Sequence, residues 1–151
     1  MANTQAMCTS FKGELLVGHH NFGTGVTRGS TAADTFKAAL YLASATVNAA
    51  TTAYSSTGEV TGTGYTAGGV TVTFGTAPST SGTTAFVTPS ASITYSAVTL
   101  STAFDAVLIY NSTQSNKAVS VHTFGSQTVT AGTFTLTMPT NDASTGLIRL
   151  A

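Results

Sequence analysis

The sequence predicts an all-β fold, an antiparallel β-sandwich of jelly-roll-like or Ig-like type, with one short N-terminal helix. Three observations predict it. Beyond residue 34, apolar side chains recur at every second position, the period of a strand with one face buried. Such segments return at short intervals between turns rich in Gly, Ser, Thr and Pro, the spacing of an all-β domain. Threonine supplies 32 of the 151 residues; its β-branch suits a pleated chain, and its hydroxyl hydrates a surface without adding charge. A chain of 151 residues has room for one ordinary domain. It divides into a helix and arm over 1–33 and a sandwich domain over 34–151.

Residues 3 to 17 carry a helical pattern. Asn3 or Thr4 can cap it, and Met7, Phe11 and Leu15, with Cys8 and Leu16, share a stripe at three- and four-residue spacing. Gly13 weakens the helix by about 1 kcal/mol relative to Ala. The run from Gly18 through His19 and His20 to Gly25 stops it, and residues 21 to 34 read as a loop or arm. The apolar face must dock on the domain or on a neighbour. Met7, Phe11, Leu15, Phe22 and Val26 are therefore the expected interface residues. Strands follow over 35–42, 69–74 and 85–88, over 92–100 with a break near Ser96, and over 104–111. Residues 43–69 read as turns and weak edge strands, and 77–84 as a loop. The apolar run FDAVLIYN (104–111) has the character of a central strand covered on both faces. Residues 116–124 and 133–138 alternate again, with a strand or long turn between them, and 147–150 closes the chain.

Composition narrows the chemistry. Charged residues make up 7%, with five basic and five acidic side chains, so no basic stripe exists for phosphates and nucleic acid is not an expected partner. The single cysteine, Cys8, forms no internal disulfide, and no Cys/His spacing suits zinc. No metal, cofactor or catalytic residue is expected. His19 and His20 are adjacent and so point apart, while His122 is remote in sequence. The acids Glu14, Asp34, Glu59, Asp105 and Asp142 show no pairing suited to glycoside hydrolysis. The glycines of GTGYTAGG (62–69) imitate a phosphate loop, but a Thr-rich strand follows where that motif needs a helix, so they read as turn glycines. Tyr41, Tyr54, Tyr65, Tyr95 and Tyr110 could stack on sugars if they shared an exposed face; core tyrosines with a wet hydroxyl are the commoner case. The first twenty residues lack the basic start and unbroken apolar run of a secretory signal. No apolar run approaches the ~18 residues of a membrane span.

The run Asp34–Tyr41 (DTFKAALY), then Thr52–Tyr54, Glu59–Val60 and Gly62–Gly69, and later Ala106–Asn111 and Gly146–Leu150, resembles a group of small tailed-phage virion proteins. The resemblance covers most of residues 8 to 151 and rests on the order of the segments. It implies a non-enzymatic virion structural protein, first a capsid decoration or cement protein on the outside of a phage head. Neck, collar or tail attachment is the alternative, with a glycan-binding adhesin behind it. The implied partners are the major capsid protein or another virion protein, and the chain itself as a homo-oligomer, a trimer being the natural decorator form. The implied location is the virion, assembled in the host cytoplasm. The resemblance supplies no catalytic residues.

Overall fold

The computed structural model describes residues 3–8, 10–11, 15, 19–20, 22–23 and 33–150. Among these, eight strands run in chain order: β1 (Ala6–Met7), β2 (Phe36–Leu42), β3 (Val70–Val72), β4 (Ser79–Ser81), β5 (Thr84–Val87), β6 (Ile93–Asn111), β7 (Lys117–Leu136) and β8 (Ile148–Leu150). They form a five-stranded sheet, ordered β1-β7-β6-β2-β3, and a three-stranded sheet, ordered β4-β5-β8. Every pairing is antiparallel, and the apolar side chains of both sheets join one core. The expected all-β antiparallel sandwich is the architecture found.

The helix expected over residues 3 to 17 is not seen. Ala6 and Met7 are extended and pair with Val121 and Ser120 of β7. Ser10, Phe11 and Leu15 have helical backbone; the residues between Phe11 and Leu15 lie outside the described ones. The cause is tertiary. Thr4 N donates to Val47 O at 3.2 Å and Cys8 N to Val119 O at 3.1 Å. The Asn3 amide donates to Leu42 O and to Asp105 Oδ1 and accepts from Val47 N. These distant partners satisfy backbone groups that a helix would have satisfied locally, and they outweigh a modest helix propensity.

β6 sits between β2 and β7, and its C-terminal half is buried throughout from Ala106 to Asn111, as the apolar run there predicts. The break expected near Ser96 does not end the strand, and residues 125–132, expected as a strand or long turn, are strand. β6 and β7 run through them as one long hairpin with register shifts between Tyr95 and Ala106. Ala97 and Ala131 take positive φ values of 53° and 45° at these shifts, the signature of bulges that bend and twist a strand pair. The bend curls the hairpin back on itself. The Tyr95 hydroxyl donates to Ala38 O at 2.8 Å, although Ala38 pairs with Ile109 at the opposite end of β6. The expected loop over 77–84 contains β4, which pairs with β5 across a turn at Gly82 and Thr83.

Residues 43–69 leave the sheet and are laced back onto it by main-chain bonds. Val60 N donates to Leu40 O, Tyr54 N to Asn116 O, Ala118 N to Thr52 O, and Thr99 N to Thr63 O. The glycines ending this excursion serve backbone geometry, as expected. A Cβ on Gly69 would lie 1.6 Å from Ala38 O, and its φ is +71°, a conformation costly for any other residue.

Candidate functional site

Phe11 is fully buried, 0% exposed, inside an aromatic cluster of its own chain. Its ring meets His20 at 4.7 Å and Phe22 at 5.9 Å, both edge-on. Phe22 stacks on Phe36 at 4.5 Å and meets Phe74 edge-on at 4.9 Å, geometries favoured by the ring quadrupole. Met7 and Leu15 are half-buried against the same core, and Val26 lies outside the described residues. Of the expected interface residues, the structure thus brings Phe11, Leu15 and Phe22 together. They line an apolar crevice of about 110 Å³ with Pro78, Phe86 and Leu150 among its other walls. Phe11 and Phe22 spend their surface within the chain. Sequence reading missed their partners Phe36 and Phe74, which the strand alternation had already turned inward.

His20 belongs to a polar knot beneath this cluster. Its Nδ1 lies 3.1 Å from Asn111 Nδ2, which also donates to Asp34 Oδ2 at 2.8 Å. Gln114 Nε2 donates to Asp34 Oδ1. Asn111 Oδ1 accepts from the amides of Thr113 and Gln114 and so shapes the β6–β7 turn. Among the described residues no group of three or more His, Cys, Asp and Glu could hold a metal ion.

The most concentrated ionisable site is Glu59, which is 6% exposed. Its Oε2 accepts from the Tyr54 hydroxyl, and its Oε1 accepts from the Tyr65 hydroxyl and from Gly68 N, all at 2.7 Å. The Tyr65 hydroxyl also accepts from Leu40 N at 3.0 Å. The other three tyrosines surround this centre and donate to main-chain carbonyls: Tyr41 to Ser55, Tyr95 to Ala38 and Tyr110 to Gly68. Tyr54 stacks on Tyr110 and Tyr65 on Tyr95. Burial raises all five phenol pKa values, and for Tyr54 and Tyr65 the carboxylate they bond raises them further. Tyr41 is pushed up to about 12. The phenols therefore stay protonated donors, and their hydroxyls act inside the chain instead of facing a sugar. The arrangement fastens residues 43–69 to the sheet. A signal for it was present: Glu59 is the single charged residue between Leu42 and Val70.

On β7, Ser120 Oγ lies 2.9 Å from His122 Nε2. Both sit on the face that carries Val107 and Ile109. His122 borders an apolar crevice of about 140 Å³ with Ile93, Phe124, Leu136 and Met138. Burial there lowers its pKa from the usual 6.5 to about 4. Between those values the unfolded chain takes up a proton that the folded chain refuses. Stability is thus complete above about 6.5 and is lost as pH falls towards about 4, a change of up to about 3 kcal/mol. His122→Gln should remove this slope, measured as the parent-minus-variant difference in denaturation midpoint across the window. An equal slope in both proteins would place the titration elsewhere.

The fold and these sites define an antiparallel all-β protein in which buried polar side chains serve cohesion. No helix among the described residues is long and apolar enough to cross a membrane. Compared with known proteins, the chain matches no family model, no curated protein and no solved structure.

Proposed function

We propose that this chain is a non-enzymatic virion structural protein, a capsid decoration or cement protein that binds the outside of a phage head and associates with copies of itself. The observation that carries the reading is the outer surface of the long hairpin. Thr94, Ser96, Ser101 and Thr102 of β6 and Thr128, Thr130, Thr133 and Thr135 of β7 are exposed. No Asp, Glu, Lys or Arg lies between Ile93 and Phe104 or between Ala118 and Leu136. Such a surface can be covered by a protein shell without desolvating charge, and its contacts are little weakened by salt. A low overall charge fits a protein that stays soluble through hydroxyls until it joins an assembly. The resemblance of the order of segments to that of small tailed-phage virion proteins supports the same reading.

The test is the number of copies per particle, measured by quantitative mass spectrometry of purified virions, with electron microscopy to locate them. Head decoration requires a copy number on the order of hundreds, set by the symmetry of the shell. A count of roughly a dozen or fewer would assign the protein to a neck, collar or tail ring instead. Absence from the particles would overturn both.

A further inference from the structure

β7 is a long strand paired along one side, and among the described residues its other side is met only near its start. β6 pairs with it along its whole length, whereas the opposite side is covered from Lys117 to Val121, by β1 at Ser120 and Val121, by Cys8 at Val119, and by Thr52 and Ala53 at Ala118 and Lys117. From His122 to Leu136 no further strand pairs with that side among the described residues. Natural proteins guard such edges with lysine, proline or inward-pointing charge. This edge carries none of these: from Val119 to Leu136 there is no Asp, Glu, Lys, Arg or Pro.

Among the described residues bulges are the protective device present, and they are unevenly placed. Between Tyr95 and Val98 the extra residue lies on β6, opposite the regular stretch of β7 from Gly132 to Leu136. Within that stretch Thr133 and Thr135 are exposed, while Phe134 and Leu136 are half-buried on the other face. Phe134 meets Phe104 at 5.0 Å and Phe124 at 5.2 Å, so the row is fixed from the core side and open at the edge. β1 demonstrates that β7 accepts an antiparallel strand on this side.

We infer that Gly132–Leu136 is a self-association edge whose occupant is the same segment of a second copy of this chain, paired antiparallel about a two-fold axis near Phe134. The inference deepens the proposed function and rests on its claim of self-association. A two-fold strand pair sets each residue against its mirror position, so any charge in the segment would meet its own sign nearby. A charge-free segment escapes that repulsion. The pairing would place Thr133 of one copy opposite Thr135 of the other. It would extend the hydroxyl ladder already present between Thr94 and Thr135, whose Oγ1 atoms lie 3.5 Å apart.

Sedimentation equilibrium of the full chain should give a mass that rises with concentration to twice the 15.2 kDa of one chain or a multiple of it. The double variant Thr133→Lys, Thr135→Lys should remain at the single-chain mass with an unchanged melting temperature. Mild oxidation of Thr133→Cys protein mixed with Thr135→Cys protein should link one to the other, while either alone stays unlinked. A parent that remains single at every concentration overturns the inference, as does a double lysine variant that keeps the parent's mass. These outcomes are separable from the virion reading. A monomeric parent abundant in particles removes the edge contact and the self-association but leaves the virion assignment, and a self-associating parent absent from particles removes the virion assignment alone.

Discussion

Ile109→Asp should abolish the cooperative unfolding transition. Ile109 is 1% exposed near the C-terminal end of β6, between the two neighbouring strands and directly opposite Ala38 on β2 and Ser120 on β7. Removing a buried Ile side chain costs about 2–5 kcal/mol on its own. A carboxyl group there would face the apolar crevice lined by Ile93, Val107, Phe124 and Leu136, beside a His122 that burial keeps neutral, and burying it without a charged partner costs several kcal/mol more, whether it stays charged or takes up a proton. The sum meets or exceeds the roughly 5–15 kcal/mol that holds a domain together. Ile109→Val is the matched control, expected to cost about 1 kcal/mol. Circular dichroism melts of the three proteins decide the matter. A folded aspartate variant melting near the parent would show that this stretch of β6 is not the core strand.

Glu59→Ala should cost about 3–5 kcal/mol, since it strips the acceptor from three donors whose unsatisfied cost is about 1–3 kcal/mol each, part of it recovered by water at half-buried Tyr54. The loss should appear as a lower denaturant midpoint at constant slope. Glu59→Gln keeps one acceptor oxygen but turns an amide donor towards a tyrosine hydroxyl, so it should cost about 1–2 kcal/mol. Because the donors come from Tyr54, Tyr65 and Gly68, the effect of either change should concentrate in residues 43–69. Amide exchange there should quicken more than in β6. Equal quickening in both regions would mean that the carboxylate supports the whole sheet instead of fastening the excursion.

The two substitutions probe different kinds of legibility. Ile109 lies in an apolar run that announces a central strand with no knowledge of its neighbours. Glu59 lies in a run of Ala, Ser, Thr and Gly that reads as turns. Its three donors fall within nine residues of it along the chain, yet nothing local says that they converge on one carboxylate. The five expected interface residues fall between these cases. The spacing of Met7, Phe11 and Leu15 marked apolar surface needing a partner, and for Phe11 that partner is this chain's own Phe22 and His20.

The sequence by itself determined the strand class and which side chains turn inward, because alternation every second residue is a property of one strand and needs no partner. It therefore placed β2, β3, β5 and β8, and the continuous apolar run placed the buried half of β6. Tertiary structure decided everything that depends on a second segment. β4 exists because β5 pairs with it. Ala6 and Met7 are extended because the β7 edge offers hydrogen bonds that outweigh a marginal local helix. β6 continues through its apparent break near Ser96, and β7 runs on through 125–132, because bulges let bent strands keep their ladder. Hydrogen-bond partners a hundred residues apart, such as Asn3 and Asp105, leave no periodic trace along the chain, and only the folded backbone brings them together.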